Sequence, residues 1–207
     1  MLETEIIFSN IMNAINSNHI WIIGIDGLGG AGKSTISETL CKKLEDNDYH
    51  IILLHIDDFI NVREVRYNSA YPAWQCYYEL QWRFDYFLDV INEIKNSKKD
   101  YINIELYDKD HDTYFQQRFA IQNNTIVIVE GVFLQKKEFN KIFDYMIYID
   151  IPEKVRLQRV LKRDTYIGDE QQIIDKYENR YFPAEHKYIE EYQSQNNADF
   201  VINDSLK

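Results

Sequence analysis

The chain has 207 residues, with 34 acidic and 23 basic side chains and a formal net charge of −11. This length predicts a single domain over residues 1–207 with a sizeable core, and the excess of acid argues against nucleic acid as a partner. The sequence has no apolar run long enough to span a membrane, no basic signal-peptide region and no cysteine pair with metal or disulfide spacing. We therefore expect a cytoplasmic protein that binds neither membranes nor nucleic acid.

The hydrophobic pattern predicts helices and strands that alternate along the chain. Within a leading segment 1–18, apolar residues at helical spacing predict a helix over 3–17. The predicted elements that follow are a strand over 20–26, a helix from Lys33 to about 46–48, a strand over 49–56, an irregular segment over 60–75, a helix over 76–96, an extended segment over 101–107, strands over 125–129 and 145–149, a basic helix from Pro152 to about Asp164, a helix over 169–193 and a strand over 198–202. This alternation predicts an α/β fold with a mainly parallel sheet, in which ligands bind at the carboxyl ends of the strands.

A glycine-rich segment after the first predicted strand matches a phosphate-binding loop. Residues 27–34 read Gly-Leu-Gly-Gly-Ala-Gly-Lys-Ser, which fits the pattern G-x-x-x-x-G-K-[ST]. A chance glycine-rich turn is the alternative, but the motif is expected between a strand and a helix, as it is here. In that position the backbone amides of the loop and the N-terminus of the helix bind phosphate together. Lys33 is placed to reach the β- and γ-phosphates, and the Ser34 hydroxyl to ligate Mg²⁺. The predicted nucleotide-binding residues are Gly27, Gly29, Gly30, Ala31, Gly32, Lys33, Ser34 and Thr35.

Acidic residues follow two of the buried strands. Asp57 and Asp58 come after the strand over 49–56, and Glu130 follows the strand over 125–129. Carboxylates at the sheet edge that carries a phosphate loop suit a Mg²⁺ ligand or a base in phosphoryl transfer. A helix cap or solvated turn is the alternative for the aspartates, and a solvent-facing acid is the alternative for Glu130.

The basic helix places three arginines on one face. Arg156, Arg159 and Arg163 have the spacing i, i+3, i+7. Such a face is suited to stabilise the charge on a transferring phosphoryl group. A solvated basic face paired with nearby acids is the alternative.

Aromatic residues are concentrated between positions 67 and 87. Some of them, such as Trp74, Tyr78 and Trp82, recur at helical spacing, which is typical of residues in a hydrophobic core. The alternative is that they form a surface on which a flat acceptor molecule stacks. Tyr107 and His111 follow the extended segment, where polar groups could orient sugar hydroxyls, and a structural histidine is the alternative for His111.

Taken together, the motifs resemble those of the uridine kinase / phosphoribulokinase family of phosphate-loop kinases over about residues 20–203. The residues that carry the resemblance are Ile23-Gly24-Ile25-Asp26-Gly27 through Lys33-Ser34-Thr35, His55-Ile56-Asp57-Asp58-Phe59, Leu106-Tyr107-Asp108, Val129-Glu130-Gly131-Val132-Phe133, Phe143-Asp144, Arg156-Leu157-Gln158-Arg159 with Arg163-Asp164, and Ala198-Asp199-Phe200-Val201-Ile202. The resemblance implies a three-layer P-loop NTPase fold, with a five-stranded, mainly parallel sheet, helices on both faces and an arginine-bearing lid helix. It also implies ATP and Mg²⁺ as cofactors.

By matching position, the resemblance assigns roles in catalysis and metal binding. Asp57 is similar to the family's catalytic base, which deprotonates the acceptor hydroxyl. Ser34, Asp57 and Glu130 together resemble the family's Mg²⁺ environment, partly through waters. The predicted catalytic residues are Asp57, Lys33, Arg159 and Arg163.

The resemblance also assigns residues around the donor and acceptor. Arg159 and Arg163 resemble the lid arginines, with Arg156 close by. Tyr107 and His111 resemble the nucleoside-contacting pair, with one residue fewer between them than uridine kinases usually show. Together with Asp57, this pair forms the predicted substrate site for a nucleoside-like small molecule.

Three departures from the family pattern fall on the acceptor side. The Arg-Gly-Arg element that usually follows the lid arginines is replaced by Thr165-Tyr166-Ile167-Gly168-Asp169, which keeps only the glycine. Asp112 stands where an arginine normally follows the histidine, and the segment 60–75 does not match the usual substrate segment. The ATP half of the pattern is therefore intact and the acceptor half is altered.

Several alternatives remain open at this point. The acceptor could be nicotinamide riboside, pantothenate or a sugar phosphate, although the few basic residues between 60 and 83 favour an uncharged molecule. A regulatory nucleotide-binding protein with little kinase activity is the alternative from another class. The segment Asn140-Lys141-Ile142-Phe143 breaks the guanine-reading Asn-Lys-x-Asp pattern, which disfavours a GTPase. The sequence leaves the oligomeric state open, a homo-oligomer included.

Overall fold

The structure is a computed structural model that describes residues 2–15, 19–139 and 141–203. The strands are β1 (Trp21–Gly27), β2 (His50–His55), β3 (Tyr101–Asp108), β4 (Thr113–Ala120), β5 (Thr125–Gly131), β6 (Tyr145–Asp150) and β7 (Phe200–Asn203). The helices are α1 (Leu2–Ala14), α2 (Lys33–Glu45), α3 (Arg63–Arg66), α4 (Ala73–Glu79), α5 (Phe84–Asn96), α6 (Glu153–Arg163), α7 (Glu170–Lys176), α8 (Phe182–Tyr192) and α9 (Ser194–Asn197). Within these ranges, no helix is long and apolar enough to cross a membrane.

A parallel sheet with the strand order β2-β5-β1-β6-β7 forms the centre of the described chain. All seven residues of β1 and of β5 are buried, which explains why these segments read as continuous apolar runs. Because β1 pairs with β5 and β5 pairs with β2, the carboxyl ends of these three strands lie side by side. The phosphate loop and the two acidic segments therefore meet at one edge of the sheet.

Helices cover both faces of this sheet. Alternate residues of a strand point to opposite faces, so Ile22 faces one core and Ile23 the other. The core that contains Ile22 is completed by α5 and α8, through residues such as Phe87 and Tyr188. The core that contains Ile23 is completed by α1 and α2, through residues such as Leu40. The predicted three-layer α/β fold is thus confirmed.

The structure contains helices within the segments predicted as helical over 3–17 and 169–193. The helix predicted over 3–17 ends at Ala14, and residues 16–17 lie outside the described residues. The helix predicted over 169–193 begins with a capping box between Asp169 and Gln172 and continues through α7 and α8. Between α7 and α8, the residues Tyr177–Tyr181 form a wider π-helical turn.

The prediction of one helix over 76–96 is wrong. The chain forms α4 and α5 instead, and the segment predicted as irregular over 60–75 contains α3 and the start of α4. The break occurs because the backbone between the two helices pairs with the chain after β2. The Arg83 amide donates to the Phe59 carbonyl at 2.8 Å, and the Asn61 amide donates to the Gln81 carbonyl at 2.9 Å.

A two-stranded antiparallel hairpin stands apart from the central sheet. It pairs β3, which is the predicted extended segment, with β4, which the sequence pattern did not predict. Asp112 at its tip adopts a positive φ of 52° and accepts hydrogen bonds from the Arg63 backbone amide. The hairpin is therefore tied to the start of α3.

Candidate active site

The phosphate loop connects β1 to α2 through backbone that only glycine adopts easily. Gly30 and Gly32 have φ values of +79° and +101°. A Cβ at Gly30 would lie 2.9 Å from the Arg156 carbonyl oxygen, so the loop also packs closely against α6. This backbone, followed directly by a helix N-terminus, provides the amide cradle that a polyphosphate requires.

Lys33 is the first residue of α2 and lies among carboxylates. Its Nζ donates to the Leu28 carbonyl at 3.3 Å. Burial lowers the pKa of Lys33, and the negative charges of Glu130, Asp57 and Asp26 oppose this shift. The ammonium group thus stands at the meeting point of the phosphate loop and the acidic strand ends.

Glu130 at the end of β5 is held by two neighbours. Its register partner on β2 is His55, whose Nδ1 lies 2.6 Å from Glu130 Oε1, and the Ser34 hydroxyl donates to the same oxygen at 3.3 Å. Burial would raise the pKa of Glu130, but the His55 hydrogen bond and the charge of Lys33 outweigh it and lower that pKa. The hydrogen bond to Glu130 raises the pKa of His55 in turn. Glu130 is therefore an ionised carboxylate beside the phosphate loop.

Asp57 lies on a short 3₁₀ turn directly after β2. Its Oδ1 accepts a hydrogen bond from Trp82 Nε1 at 3.2 Å, while the side chain remains open to solvent through the cavity it lines. The surrounding protein raises the pKa of Asp57 by desolvation, and Lys33 and Trp82 partly offset that rise. A carboxylate with one oxygen anchored and an elevated pKa is suited to accept a proton.

The three arginines of α6 all reach the phosphate loop or its border, in different ways. Arg156 is buried, donates to the Gly29 carbonyl at 3.0 Å and forms an ion pair with Glu185 at 2.8 Å. Arg159 donates to the Gly30 and Ala31 carbonyls at 3.3 and 3.1 Å. Arg163 is largely exposed and pairs with the adjacent Asp164 at 2.6 Å.

Two cavities meet at the phosphate loop. The phosphate-side cavity, of about 260 Å³, is lined by Gly30, Gly32, Lys33, Ser34, Thr35, Arg159, Val160 and Arg163. The second, of about 300 Å³, contains Asp57 and is called here the tyrosine-lined cavity, because its walls include Tyr67, Tyr77, Tyr166, Tyr177 and Tyr181. Lys33 and Arg163 border both cavities. This arrangement can hold a phosphate chain on one side and a small ring-containing molecule on the other.

The predicted acceptor residues on the hairpin lie farther out. Tyr107 OH accepts a hydrogen bond from Arg66 Nη2 at 2.8 Å and donates to Asp112 at 2.7 Å. Arg66 lines the tyrosine-lined cavity, whereas Tyr107 does not. His111 is exposed and pairs with Asp108 at 2.8 Å. The structure brings Asp57, Lys33, Glu130 and the arginines together but leaves both Tyr107 and His111 outside the cavity lining.

Sequence reasoning missed several buried polar residues around the loop. Glu185 on α8 accepts a hydrogen bond from the Gly29 amide at 2.8 Å. Asp26, one residue before the loop, accepts from the Gly27 amide at 2.8 Å, from Gln135 at 3.0 Å and from the Tyr188 hydroxyl. No sequence pattern marks Glu185, whereas Asp26 could have been noticed as an acid within an otherwise apolar strand.

The residues present fit MgATP. Mg²⁺ is usually held by one or two carboxylates together with phosphates and waters, so a full protein cage is not needed. In the described ranges no group of three acidic, histidine or cysteine side chains forms such a cage. Ser34, Asp57 and Glu130 instead offer a hydroxyl and two carboxylates beside the glycine cradle.

Comparisons with known proteins agree with this geometry. The family model described as Phosphoribulokinase / Uridine kinase family matches residues 22–205. A uridine kinase from Staphylococcus epidermidis is 27% identical over 190 residues, which cover 89% of this chain and 88% of that protein. A uridine kinase from Staphylococcus haemolyticus is 28% identical over 185 residues, covering 87% and 86% of the two chains.

Solved structures are similar over nearly the whole chain. The structure described as a possible uridine kinase from Bacillus stearothermophilus superposes with a TM-score of 0.79 at 28% identity, covering 97% of both chains. A D-glycerate 3-kinase from Cryptococcus neoformans has a TM-score of 0.64 at 12% identity, covering 88% of this chain and 84% of that one, and shows the shared fold alone.

Proposed function

Since the chain belongs to the phosphoribulokinase / uridine kinase family of P-loop kinases, we propose that it transfers the γ-phosphate of MgATP to a hydroxyl group of a nucleoside-like acceptor. The observation that carries this proposal is the shared boundary of the two cavities. Lys33 borders both of them, and Asp57 lies in the tyrosine-lined cavity only. An acceptor hydroxyl next to Asp57 would therefore lie beside the end of a phosphate chain held by the loop.

In the proposed reaction, Asp57 receives the proton of the acceptor hydroxyl, whose oxygen forms the new bond to the γ-phosphorus as ADP leaves. Trp82 holds one carboxylate oxygen of Asp57, so the other is available for that proton. Lys33, Arg159 and Arg163 border the phosphate-side cavity and stabilise negative charge on the transferring group. Ser34, Glu130 and Asp57 would hold Mg²⁺, which neutralises phosphate charge when bound.

The direct test is ADP release by the purified protein with MgATP and a panel of acceptors. The panel contains uridine, cytidine, nicotinamide riboside, pantothenate and a control without acceptor. We expect acceptor-dependent ADP release with a nucleoside-like member, together with its phosphorylated product by mass spectrometry. ATP binding without acceptor-dependent ADP release would instead support the second candidate, a regulatory nucleotide-binding protein, which the altered acceptor-side residues at 112 and 165–169 motivate.

A further inference from the structure

The tyrosine-lined cavity contains one amide side chain whose orientation is fixed from behind. Gln81 lies between α4 and α5, lines the cavity and is only 7% exposed. Its Oε1 accepts a hydrogen bond from Arg180 Nη2 at 2.9 Å. A guanidinium group has donors only, so the oxygen of the Gln81 amide has to face Arg180 and the NH₂ group has to face away. Among the described residues, none accepts a hydrogen bond from Gln81 Nε2, which leaves this donor for a molecule in the cavity.

Arg180 is itself buried and holds several parts of the cavity wall. It is 4% exposed, and it donates to the Ala73 carbonyl at 3.1 Å and to the Arg66 carbonyl at 3.4 Å. Its guanidinium group lies over the rings of Tyr67 and Tyr77, at 4.5 and 5.5 Å from their centroids. One arginine therefore connects the end of α3, the start of α4 and the Gln81 side chain.

The π-helical turn Tyr177–Tyr181 explains how Arg180 reaches this position. A π turn inserts an extra residue into a helix and is frequent at functional sites. Here it places Tyr177 and Tyr181 in the cavity wall while Arg180 points beneath that wall. The Tyr181 ring lies 4.7 Å from the Tyr177 ring and 4.8 Å from the Tyr77 ring. Flat aromatic surfaces thus line the same cavity as the oriented NH₂ group of Gln81.

The positive charge behind Gln81 has a chemical consequence. No carboxylate of the described chain forms an ion pair with Arg180, whose partners are two carbonyls and the Gln81 amide. A hydrogen bond from a cation polarises the amide that accepts it and makes the opposite N–H a better donor. The cavity is therefore built to bind an electron-rich oxygen at this point.

We propose that Gln81 Nε2 determines acceptor specificity by donating a hydrogen bond to an exocyclic oxygen on the flat ring of the acceptor, with Arg180 as the positioning residue that orients it. This inference rests on the proposed function and narrows its substrate class. The oxygen concerned is the one that uridine and inosine carry where cytidine and adenosine carry an amino group, and an acceptor with a carbonyl or carboxamide oxygen at that place satisfies the donor. An acceptor with an amino group at the same place brings one hydrogen-bond donor against another, so the Gln81 NH₂ group remains buried without a partner.

The test is the isosteric variant Gln81→Glu, which keeps the contact with Arg180 and presents a second acceptor oxygen to the cavity in place of the donor. Its substrates are matched pairs that exchange an exocyclic oxo group for an amino group, with the accompanying loss of the proton on the adjacent ring nitrogen: uridine with cytidine, and inosine with adenosine. For the unmodified protein we expect kcat/KM to favour the oxo member of the preferred pair. For Gln81→Glu we expect that preference to fall about 10- to 100-fold, mainly through KM, with the KM for ATP unchanged. Gln116→Glu, on the exposed face of β4, is the matched control and should leave the preference unchanged.

Binding of each acceptor, measured by calorimetry alongside turnover, separates the two proposals. Oxo-selective binding without phosphorylation, lost in Gln81→Glu, would contradict the kinase function and keep the Gln81 assignment. An unchanged preference in Gln81→Glu, an equal loss for both members of a pair, or no binding of any oxo member would overturn the assignment. Arg180→Lys keeps a buried positive charge but lacks the planar guanidinium group that orients the Gln81 amide. We therefore expect this variant to weaken the preference for the oxo acceptor without changing the affinity for ATP.

Discussion

The Glu185 carboxylate on α8 accepts a hydrogen bond from the backbone amide of Gly29 at 2.8 Å. The second oxygen of the same carboxylate pairs with Arg156 at 2.8 Å, and Arg156 also donates to the Gly29 carbonyl. A single residue of the phosphate loop is thus held through its amide from α8 and through its carbonyl from α6. Both partners are buried, so the loop conformation depends on an ion pair that solvent does not screen.

Glu185→Gln should destabilise the fold. The amide cannot neutralise Arg156 and leaves that guanidinium buried without its counter-ion, which typically costs about 3 kcal/mol or more. The free energy of unfolding in urea would measure the loss. Glu190→Gln, on the exposed face of the same helix, is the control and should change the unfolding free energy by less than about 0.5 kcal/mol. Equal effects of the two substitutions would show that the buried pair does not stabilise the loop.

Lys33→Met should weaken nucleotide binding. Loss of a charge-assisted contact to phosphate costs about 1.5–3 kcal/mol, which corresponds to a roughly 10- to 100-fold increase in the Kd for ATP. Lys42→Met changes an exposed lysine of the same helix and should leave the Kd unaltered. Calorimetric titration of both variants with MgATP distinguishes the cases, and normal ATP affinity in Lys33→Met would refute the assignment of the loop.

Asp57→Asn should lower kcat about 10²- to 10⁴-fold while ATP still binds, because the variant cannot accept the hydroxyl proton. The unmodified protein should also show an acid limb in kcat/KM. The base works when ionised, so activity is present above the pKa of Asp57 and is lost as the pH falls through it. Desolvation by the surrounding cavity wall raises this pKa, which moves the acid limb above the pH expected for an ordinary aspartate. Asp89→Asn, at an exposed position on α5, should keep both turnover and pH profile.

Trp82→Phe should shift that acid limb further upward. The indole N–H stabilises the ionised form of Asp57, and its removal raises the pKa of the carboxylate. Trp74→Phe removes a comparable volume from the half-buried position on α4 and provides the control. A purely structural role for Trp82 would lower activity at every pH by the same factor, so a pH profile that keeps its midpoint contradicts the prediction.

The sheet and the phosphate loop could be predicted from the sequence because local rules determine them. Strands that are covered on both faces, such as β1 and β5, are apolar throughout, and the glycine pattern of the loop reflects the φ values at Gly30 and Gly32. The acids at the strand ends then follow from parallel topology alone. Asp57 and Glu130 could therefore be assigned to that edge without knowing any contact between residues distant in sequence.

The break between α4 and α5 could not be predicted in the same way. The sequence across Leu80 has helical character, and the break is decided by hydrogen bonds from Asn61 and to Phe59, which are remote in sequence. The strand β4 was missed because most of its side chains are exposed and carry no alternating pattern. Glu185 and Arg180 likewise resemble surface residues of a helix until the fold buries them. Their partners lie about 100 residues or more away, at Gly29 and Gln81.

The anchoring of Arg156 near the start of α6 limits how the active site can open. A rigid swing of the whole helix would separate Arg156 from Glu185 and from the Gly29 carbonyl, and so break a buried ion pair in every catalytic cycle. At the other end of the helix, the Arg163 side chain is 61% exposed and Tyr166 is 78% exposed, whereas Asp164 is buried and accepts a hydrogen bond from the Tyr177 hydroxyl at 2.7 Å. A motion that admits or releases ligands and keeps the Arg156 ion pair intact therefore has to be local to exposed side chains such as Arg163 and Tyr166, rather than a swing of the helix.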